Sequence, residues 1–397
     1  MSQVDLRRES RAIVWKGDHR AGELSRRADD IVFQYDADYP AESGAVARTL
    51  PVRADPYVER GGAVPPFFAG LLPEGRRLTA IRAELKTSAD DEFTQLIAVG
   101  ADCIGDVRVI APDATPLFSP IEIDDSPFNF SRLFAQILRD KPLADNAIPG
   151  VQDKISDSMI SATVTGKYGP AIVKLTPATH PRIVENEAFF LGLAKRAGLP
   201  VPRHTVLHDE AGASALLVER FDRTTTGGRL NRLPQEDALQ LLGRWPNAKY
   251  LVSSRDIFAA IAANTTAAPA ELQRLVTLFA LSYVIGNGDL HGKNVSVYRE
   301  GGLWKLTPAY DVLSTLPYGD QTMAIDFEGR DDSLKLRDFI AIASREGLNE
   351  KATRKAVARV CAVAADAIPR LPEIGFDERV TSHLARLMTK RIGDLSG

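Results

Sequence analysis

The sequence predicts an α+β chain of two lobes, a β-rich N-terminal part and an all-helical C-terminal lobe apart from one hairpin. Three observations predict it. Short runs rich in Val, Ile, Phe and Tyr, separated by charged turns, recur as far as Glu219. Helical periodicity takes over from Leu233 and is broken only by a hairpin signal at 295–307. The chain's 397 residues exceed one compact core, and 44% hydrophobic with 25% charged residues is a globular composition.

In chain order, Ala12–Trp15, Glu23–Leu24 and Ile31–Tyr35 read as strands, the first ending at the turn Lys16-Gly17-Asp18. PPFFAGLLPEGRRLTAIRAEL is a Pro-led apolar segment running into an amphipathic helix. A helix over Asp91–Val99 stops at Gly100 and leads into the strand Asp106–Ile110. Ala111–Pro127, rich in Pro, Asp and Ser, reads as a linker, and a helix over Asn129–Leu138 follows it. Ile155–Thr165, Ala171–Thr176, Val201–His208 and Ser214–Glu219 read as strands around one helix, Ile183–Gly198, which Gly198-Leu199-Pro200 terminates. Leu275–Ile285 is apolar almost all round, as in a buried helix, and Gly286-Asn287-Gly288 breaks it. The runs VSVY and LWKLT then flank Arg299-Glu300-Gly301-Gly302 as a hairpin. No internal repeat or low-complexity tract is present.

A net charge of -3 argues against a protein that grips nucleic acid through its own basic field, so DNA contact is expected only through a partner. Two cysteines, Cys103 and Cys361, are too few for a disulfide framework and fit a reducing cytosol. No apolar run reaches the length of a membrane span, so a cytoplasmic protein without membrane contact is expected.

The chemistry concentrates in the loop after Leu275–Ile285, where Asp289, His291, Lys293 and Asn294 fall within six residues and the hairpin returns Asp311 beside them. Phosphoryl transfer from a metal-bound nucleotide needs a carboxylate near the reacting hydroxyl and hard oxygen ligands for magnesium. Asp289 suits the first task, and Asn294 with Asp311 the second. His291 is read as orienting Asp289 or holding the loop, and Lys293 as neutralising charge on the transferring phosphate. The bland alternative is a polar turn in which Asp and Asn serve geometry alone.

Other parts of a nucleotide site lie upstream. Lys174 alternates with Val173 and Leu175 along its strand, and Glu187 in the next helix is its natural partner; an edge-strand lysine facing water is the alternative. Gly150-Val151-Gln152-Asp153-Lys154 precedes a strand and suits backbone contact with phosphate, though an ordinary turn reads as well. Glu219-Arg220-Phe221, where strand gives way to the polar stretch Thr224–Gly228, suits an adenine edge.

Taken together, FFAGLLPEGRR, FTQLIAVGADCIGDVRV, PGVQDK, IVKL, VENEAFFLGLAKRAGLPVP, VERFDR, RLPQED, GNGDLHGKNVSV and LTPAYDVLST resemble the HipA family of serine/threonine kinases, toxins of bacterial type II toxin–antitoxin pairs. The resemblance implies a two-lobed protein-kinase-like fold: an N-terminal subdomain at 1–110, an N-lobe with phosphate loop and hinge at 111–225, and a helical C-lobe at 226–397. It implies Asp289 as catalytic base, Asn294 and Asp311 as magnesium ligands, and Lys174 with Glu187 as the phosphate-binding pair. Gly150, Val151, Gln152 and Lys154 then form the phosphate-covering loop, and Glu219 to Phe221 the hinge. ATP and Mg2+ are the implied cofactors. The implied partners are a helix-turn-helix, HipB-like antitoxin and a protein substrate such as an aminoacyl-tRNA synthetase. Family members often carry a self-phosphorylated serine three residues ahead of the PGVQDK glycine, where this chain has Ala147. The alternative function is a catalytically silent scaffold acting as corepressor with its antitoxin; a small-molecule kinase is a third.

Overall fold

A computed structural model describes residues 6–112, 121–122, 129–130, 160–166, 169–177 and 179–397. The expected loop 150–154, Ala147, the rest of the linker and most of the helix expected over 129–138 lie outside the described residues.

The first unit is a five-stranded antiparallel sheet in the order β4-β3-β2-β1-β5, built from β1 (Arg11–Lys16), β2 (His19–Arg27), β3 (Asp30–Tyr35), β4 (Tyr57–Glu59) and β5 (Val107–Ile110). Strand alternation sends Ala12 and Val14 of β1 and Ile31, Phe33 and Tyr35 of β3 inward. They pack on Phe67 and Phe68 of α1 (Pro66–Gly70) and Phe93, Leu96 and Ile97 of α3 (Glu92–Val99) as one separate core. The Pro-led apolar segment is itself the short helix α1, and α2 (Gly75–Leu85) begins after the break at Pro73. Proline there removes a backbone donor and disfavours helix at the residue before it.

The second sheet runs β6-β7-β8-β10-β9, comprising Ile121–Glu122, Ile160–Gly166, Gly169–Leu175, Ser214–Glu219 and His204–His208 for β6, β7, β8, β10 and β9. β8 therefore lies inside the sheet rather than at its edge. One face carries Ala171, Val173, Leu175 and Ala215 into a small core. Leu216 and Val218 on the other face join α4 (Ile183–Ala197) and the large core of the helical lobe. Thr224–Gly228, expected as loop, belongs to a hairpin of β11 (Arg223–Thr226) and β12 (Arg229–Arg232). Gly227 and Gly228 turn it with φ of 58° and 77°, which only glycine adopts freely.

The third part contains α5 (Ala238–Leu241), α6 (Ser254–Asn264), α7 (Ala268–Ile285), α8 (Leu336–Arg345), α9 (Glu350–Ala367) and α10 (Glu378–Ser396). The hairpin β14 (Ser296–Glu300) and β15 (Leu303–Leu306) gains a third strand, β13 (Gln235–Asp237), that sequence pattern missed. Three residues are too few to show alternation. Helix α7 is enclosed by the other helices, with Leu275, Val276, Phe279, Leu281 and Ile285 all in the large core. The polar loop thus hangs from the most deeply packed element of the lobe. No helix among the described residues is long and apolar enough to cross a membrane.

Candidate active site

Gly286 ends α7 at φ 71°, and its N–H closes onto the Ser282 and Tyr283 carbonyls. The buried Arg391 also donates to the Tyr283 carbonyl oxygen, Nη1 to O 2.6 Å, so the helix end is satisfied from two sides. The loop beyond is laced to itself. Asn287 Oδ1 accepts from the Asp289 N–H at 3.0 Å, and the Asn294 N–H reaches the His291 carbonyl at 2.9 Å. Asn294 Nδ2 donates to the Asp289 carbonyl at 2.7 Å. Thr315 Oγ1 accepts the Gly288 N–H at 2.7 Å, which ties the loop to the segment beyond Asp311.

Asp289 is 3% exposed, and its Oδ1 accepts a hydrogen bond from Tyr250 Oη at 3.0 Å. His291 does not orient it: Nε2 stands 4.0 Å from Asp289 Oδ1, and neither ring nitrogen has a hydrogen-bond partner among the described residues. Burial first, then the charge of Lys249, push the His291 imidazole down to about 3, so it is neutral at physiological pH. Its ring meets the Tyr250 ring edge-on, with centroids 5.1 Å apart. The polar contact that sequence reading assigned to His291 is made by Tyr250. No motif marks that tyrosine, which lies 39 positions before Asp289.

Lys174 projects from the α4 face of β8, opposite Leu216, and its Nζ lies 2.5 Å from Glu187 Oε1. The same ammonium is ion-paired with Asp311 Oδ1. One cation thus lies between two carboxylates. Burial favours neutral Lys174, but Asp311 and Glu187 outweigh it and hold its pKa above the ordinary value. Glu187, buried and also beside Asp311, is raised from its own ordinary value. Asp311 has φ 53°, a left-handed conformation that costs a non-glycine residue on the order of 1 kcal/mol.

The two halves of the site are joined through Tyr310. Its hydroxyl donates to the Lys293 carbonyl at 2.7 Å and lies 2.6 Å from Ser296 Oγ. Its ring stands 5.9 Å from that of Phe221, so the end of β10, the polar loop and Asp311 converge on one residue. Glu219 pairs loosely with Arg203 at 3.4 Å. The intervening Arg220, expected within the adenine-edge segment, turns its side chain inward: with Arg223 it binds Asp222, Asp102 and the Cys103 carbonyl at 2.7–3.0 Å. The segment expected as the hinge is therefore clamped to the first unit. Lys293 likewise meets the first unit, with Nζ 3.1 Å from Glu74 Oε1.

No group of three or more His, Cys, Asp or Glu able to hold a metal occurs among the described residues. Magnesium in nucleotide sites needs fewer protein ligands, because phosphates and waters complete its shell. Asn294 fits such a role, since donation by Nδ2 to the Asp289 carbonyl leaves the amide oxygen as the available end. Asp311 fits too: its side chain is 36% exposed, and it belongs to a cluster with one carboxylate more than lysine.

Comparison with known proteins bears on family and fold. The HipA-like C-terminal domain matches residues 146–368, and the HipA N-terminal domain matches residues 12–110. A Sinorhizobium fredii protein named "Putative kinase Y4dM" is 32% identical over 72% of each chain. The serine/threonine-protein kinase toxin HipA of Shewanella oneidensis is 25% identical, over 91% of this chain and 90% of that one. In fold, the chain superimposes on HipA in a Shewanella oneidensis structure of HipA, HipB and operator DNA, with a TM-score of 0.77, 22% identity and 97% of each chain covered. A two-part domain match spanning both lobes, on a kinase-like α+β fold, leads to one conclusion: the chain belongs to the HipA family.

Proposed function

We propose that this protein is a Mg-ATP-dependent serine/threonine protein kinase acting as the toxin of a toxin–antitoxin pair in the cytoplasm. The observation that carries the reading is the convergence of Lys174, Glu187 and Asp311 by ion pairing, linked through Tyr310 to the loop that holds Asp289 and Asn294. Lys174 holds the nucleotide's phosphates, while Glu187 fixes the lysine's position. Asn294 and Asp311 hold the magnesium ion, which when bound neutralises charge on the phosphates. Asp289, oriented by Tyr250, accepts the proton of the attacking serine or threonine hydroxyl. Phe221 and the Glu219–Phe221 backbone contact the adenine, and Gly150, Val151, Gln152 and Lys154 cover the phosphates. His291 acts as a neutral, buried ring that spaces Tyr250 and Asp289.

A HipB-like helix-turn-helix antitoxin is the proposed partner, with DNA reached only through it, in line with the net charge of -3. The proposed acceptor is a cytosolic translation factor, an aminoacyl-tRNA synthetase being one example. The test is incubation with Mg-ATP labelled on the γ-phosphate and a cytosolic extract, followed by phosphosite mapping. Wild type is expected to label serine or threonine on a discrete acceptor, and Asp289→Ala to reduce labelling by at least ~100-fold. Equal labelling by both proteins would remove Asp289 as base. No labelling by wild type would favour the silent corepressor.

A further inference from the structure

The break between α1 and α2 brings Glu74 of the first unit onto the polar loop of the third part. Glu74 occupies the N-cap position of α2, yet its side chain makes no capping bond there. Its carboxylate instead bridges two lysines from separate segments, with Oε2 2.8 Å from Lys249 Nζ and Oε1 3.1 Å from Lys293 Nζ. Lys293 Nζ also lies 3.4 Å from the Gly70 carbonyl at the end of α1. Both lysine side chains are nearly enclosed, at 10% and 13% exposure. A pair so confined is not the loose surface kind that contributes little. Burial alone would raise the Glu74 carboxyl, but Lys293 and Lys249 hold it down to about 2.

The place of this cluster gives it meaning. Lys293 lies between Asp289 and Asn294 at one end and Tyr310 at the other, through its own carbonyl. Lys249 is bound to the same loop, its carbonyl accepting the Gly292 N–H at 3.1 Å. His291, 1% exposed and without a hydrogen-bond partner among the described residues, lies within the fields of Lys249, Glu74, Lys293 and Asp311. A flexible lysine on a mobile stem cannot be aimed at a developing charge; one tethered by a carboxylate and a carbonyl is aimed beforehand.

We infer that Glu74, itself anchored by Lys249, is a positioning residue of the phosphoryl-transfer site that presets the Lys293 ammonium for the transferring phosphate. The first unit thereby completes the active site within the same chain. This rests on the phosphoryl-transfer reading above.

The test uses the full chain and compares wild type, Glu74→Gln, Glu74→Asp, Lys293→Met and the Glu74→Gln/Lys293→Met pair, each first checked for an unchanged melting transition. Two readouts are taken with magnesium: kcat for phosphate release or transfer from ATP, and the ratio of affinities for AMP-PNP and ADP, which reports the grip on the terminal phosphate. Glu74→Gln is expected to lower kcat at least tenfold and to change the affinity ratio at least threefold, with Glu74→Asp in between. In the Lys293→Met background Glu74→Gln is expected to change either quantity less than twofold, because its effect passes through that lysine. A Glu74→Gln protein with wild-type kcat and affinity ratio would overturn the inference. So would an effect that persists undiminished without Lys293, which is the mark of a residue that only joins the two units. If wild type shows no turnover, the proposed activity fails while the affinity ratio still decides the role of Glu74.

Discussion

Replacing Lys174 by methionine removes the one cation between Glu187 and Asp311 and nearly preserves the stem's volume, so the change is electrostatic rather than a cavity. Glu187 is 1% exposed, and its ion pair among the described residues is with Lys174. Breaking a buried pair from one side costs about 3–5 kcal/mol. The Asp311 side chain is 36% exposed, so its share is largely screened and most of that cost falls on Glu187. The dependence on pH has a definite sign. In wild type the Lys174 pKa is raised, so its contribution is fully present below the ordinary lysine value and is constant between pH 5 and 8. In the variant the stranded Glu187 carboxyl is raised, the fold binds its proton more tightly than the unfolded chain, and stability falls as pH rises. Urea denaturation at pH 8 is expected to show the full loss. At pH 5 the loss shrinks by about 1.4 kcal/mol for each unit by which losing Lys174 lifts the Glu187 pKa beyond its already raised wild-type value. Adding Glu187→Gln to Lys174→Met is expected to recover most of the stability at pH 8. A loss below about 1 kcal/mol, or an equal loss at both pH values, would refute the reasoning.

Two further perturbations probe how the first unit is held to the rest. Glu236 accepts the Arg48 N–H with both carboxylate oxygens at 3.0 and 3.1 Å and is 4% exposed; burial, opposed by Lys16 and Arg48, raises it to about 7. Its raised carboxyl contributes a loss of stability as pH climbs from about 4.5 to about 7, of up to roughly 3 kcal/mol, set against the opposite contribution of buried His291. Glu236→Gln is expected to flatten that slope in urea midpoints measured from pH 5 to 8, and an unchanged slope would contradict the assignment. Asp222→Ala strips the central carboxylate from Arg220 and Arg223, each 1% exposed in its side chain. It is expected to cost about 3–5 kcal/mol in chemical denaturation, and a loss under 1 kcal/mol would show the network to be dispensable.

The family and the two-lobed fold were legible because their signals are local and dense. Leu275–Ile285 followed by Gly286-Asn287-Gly288 reads as a buried helix meeting a polar loop, and Ile183–Gly198 carries its own stop. The Lys174–Glu187 pairing was also within reach, since strand alternation fixed which way the lysine faces. What escaped depends on long-range packing. Tyr250 and Glu74 belong to segments whose local patterns speak only of a turn and a helix start, and no periodicity shows that they reach Asp289 and Lys293. Arg220 reads as one more charged residue at a strand end, because its partners Asp102 and Cys103 lie more than a hundred positions earlier. His291 misled for a related reason: a histidine two residues from an aspartate suggests a hydrogen bond, whereas burial leaves it neutral and 4.0 Å away.

In the proposed function Asp311 and Asn294 hold a magnesium–nucleotide opposite Lys174. Calorimetric titration of AMP-PNP into wild type, Asp311→Asn and Asn294→Ala, with and without magnesium, tests it most directly. Magnesium is expected to tighten binding to wild type at least tenfold and to either variant less than threefold. Equal tightening in all three proteins would contradict it.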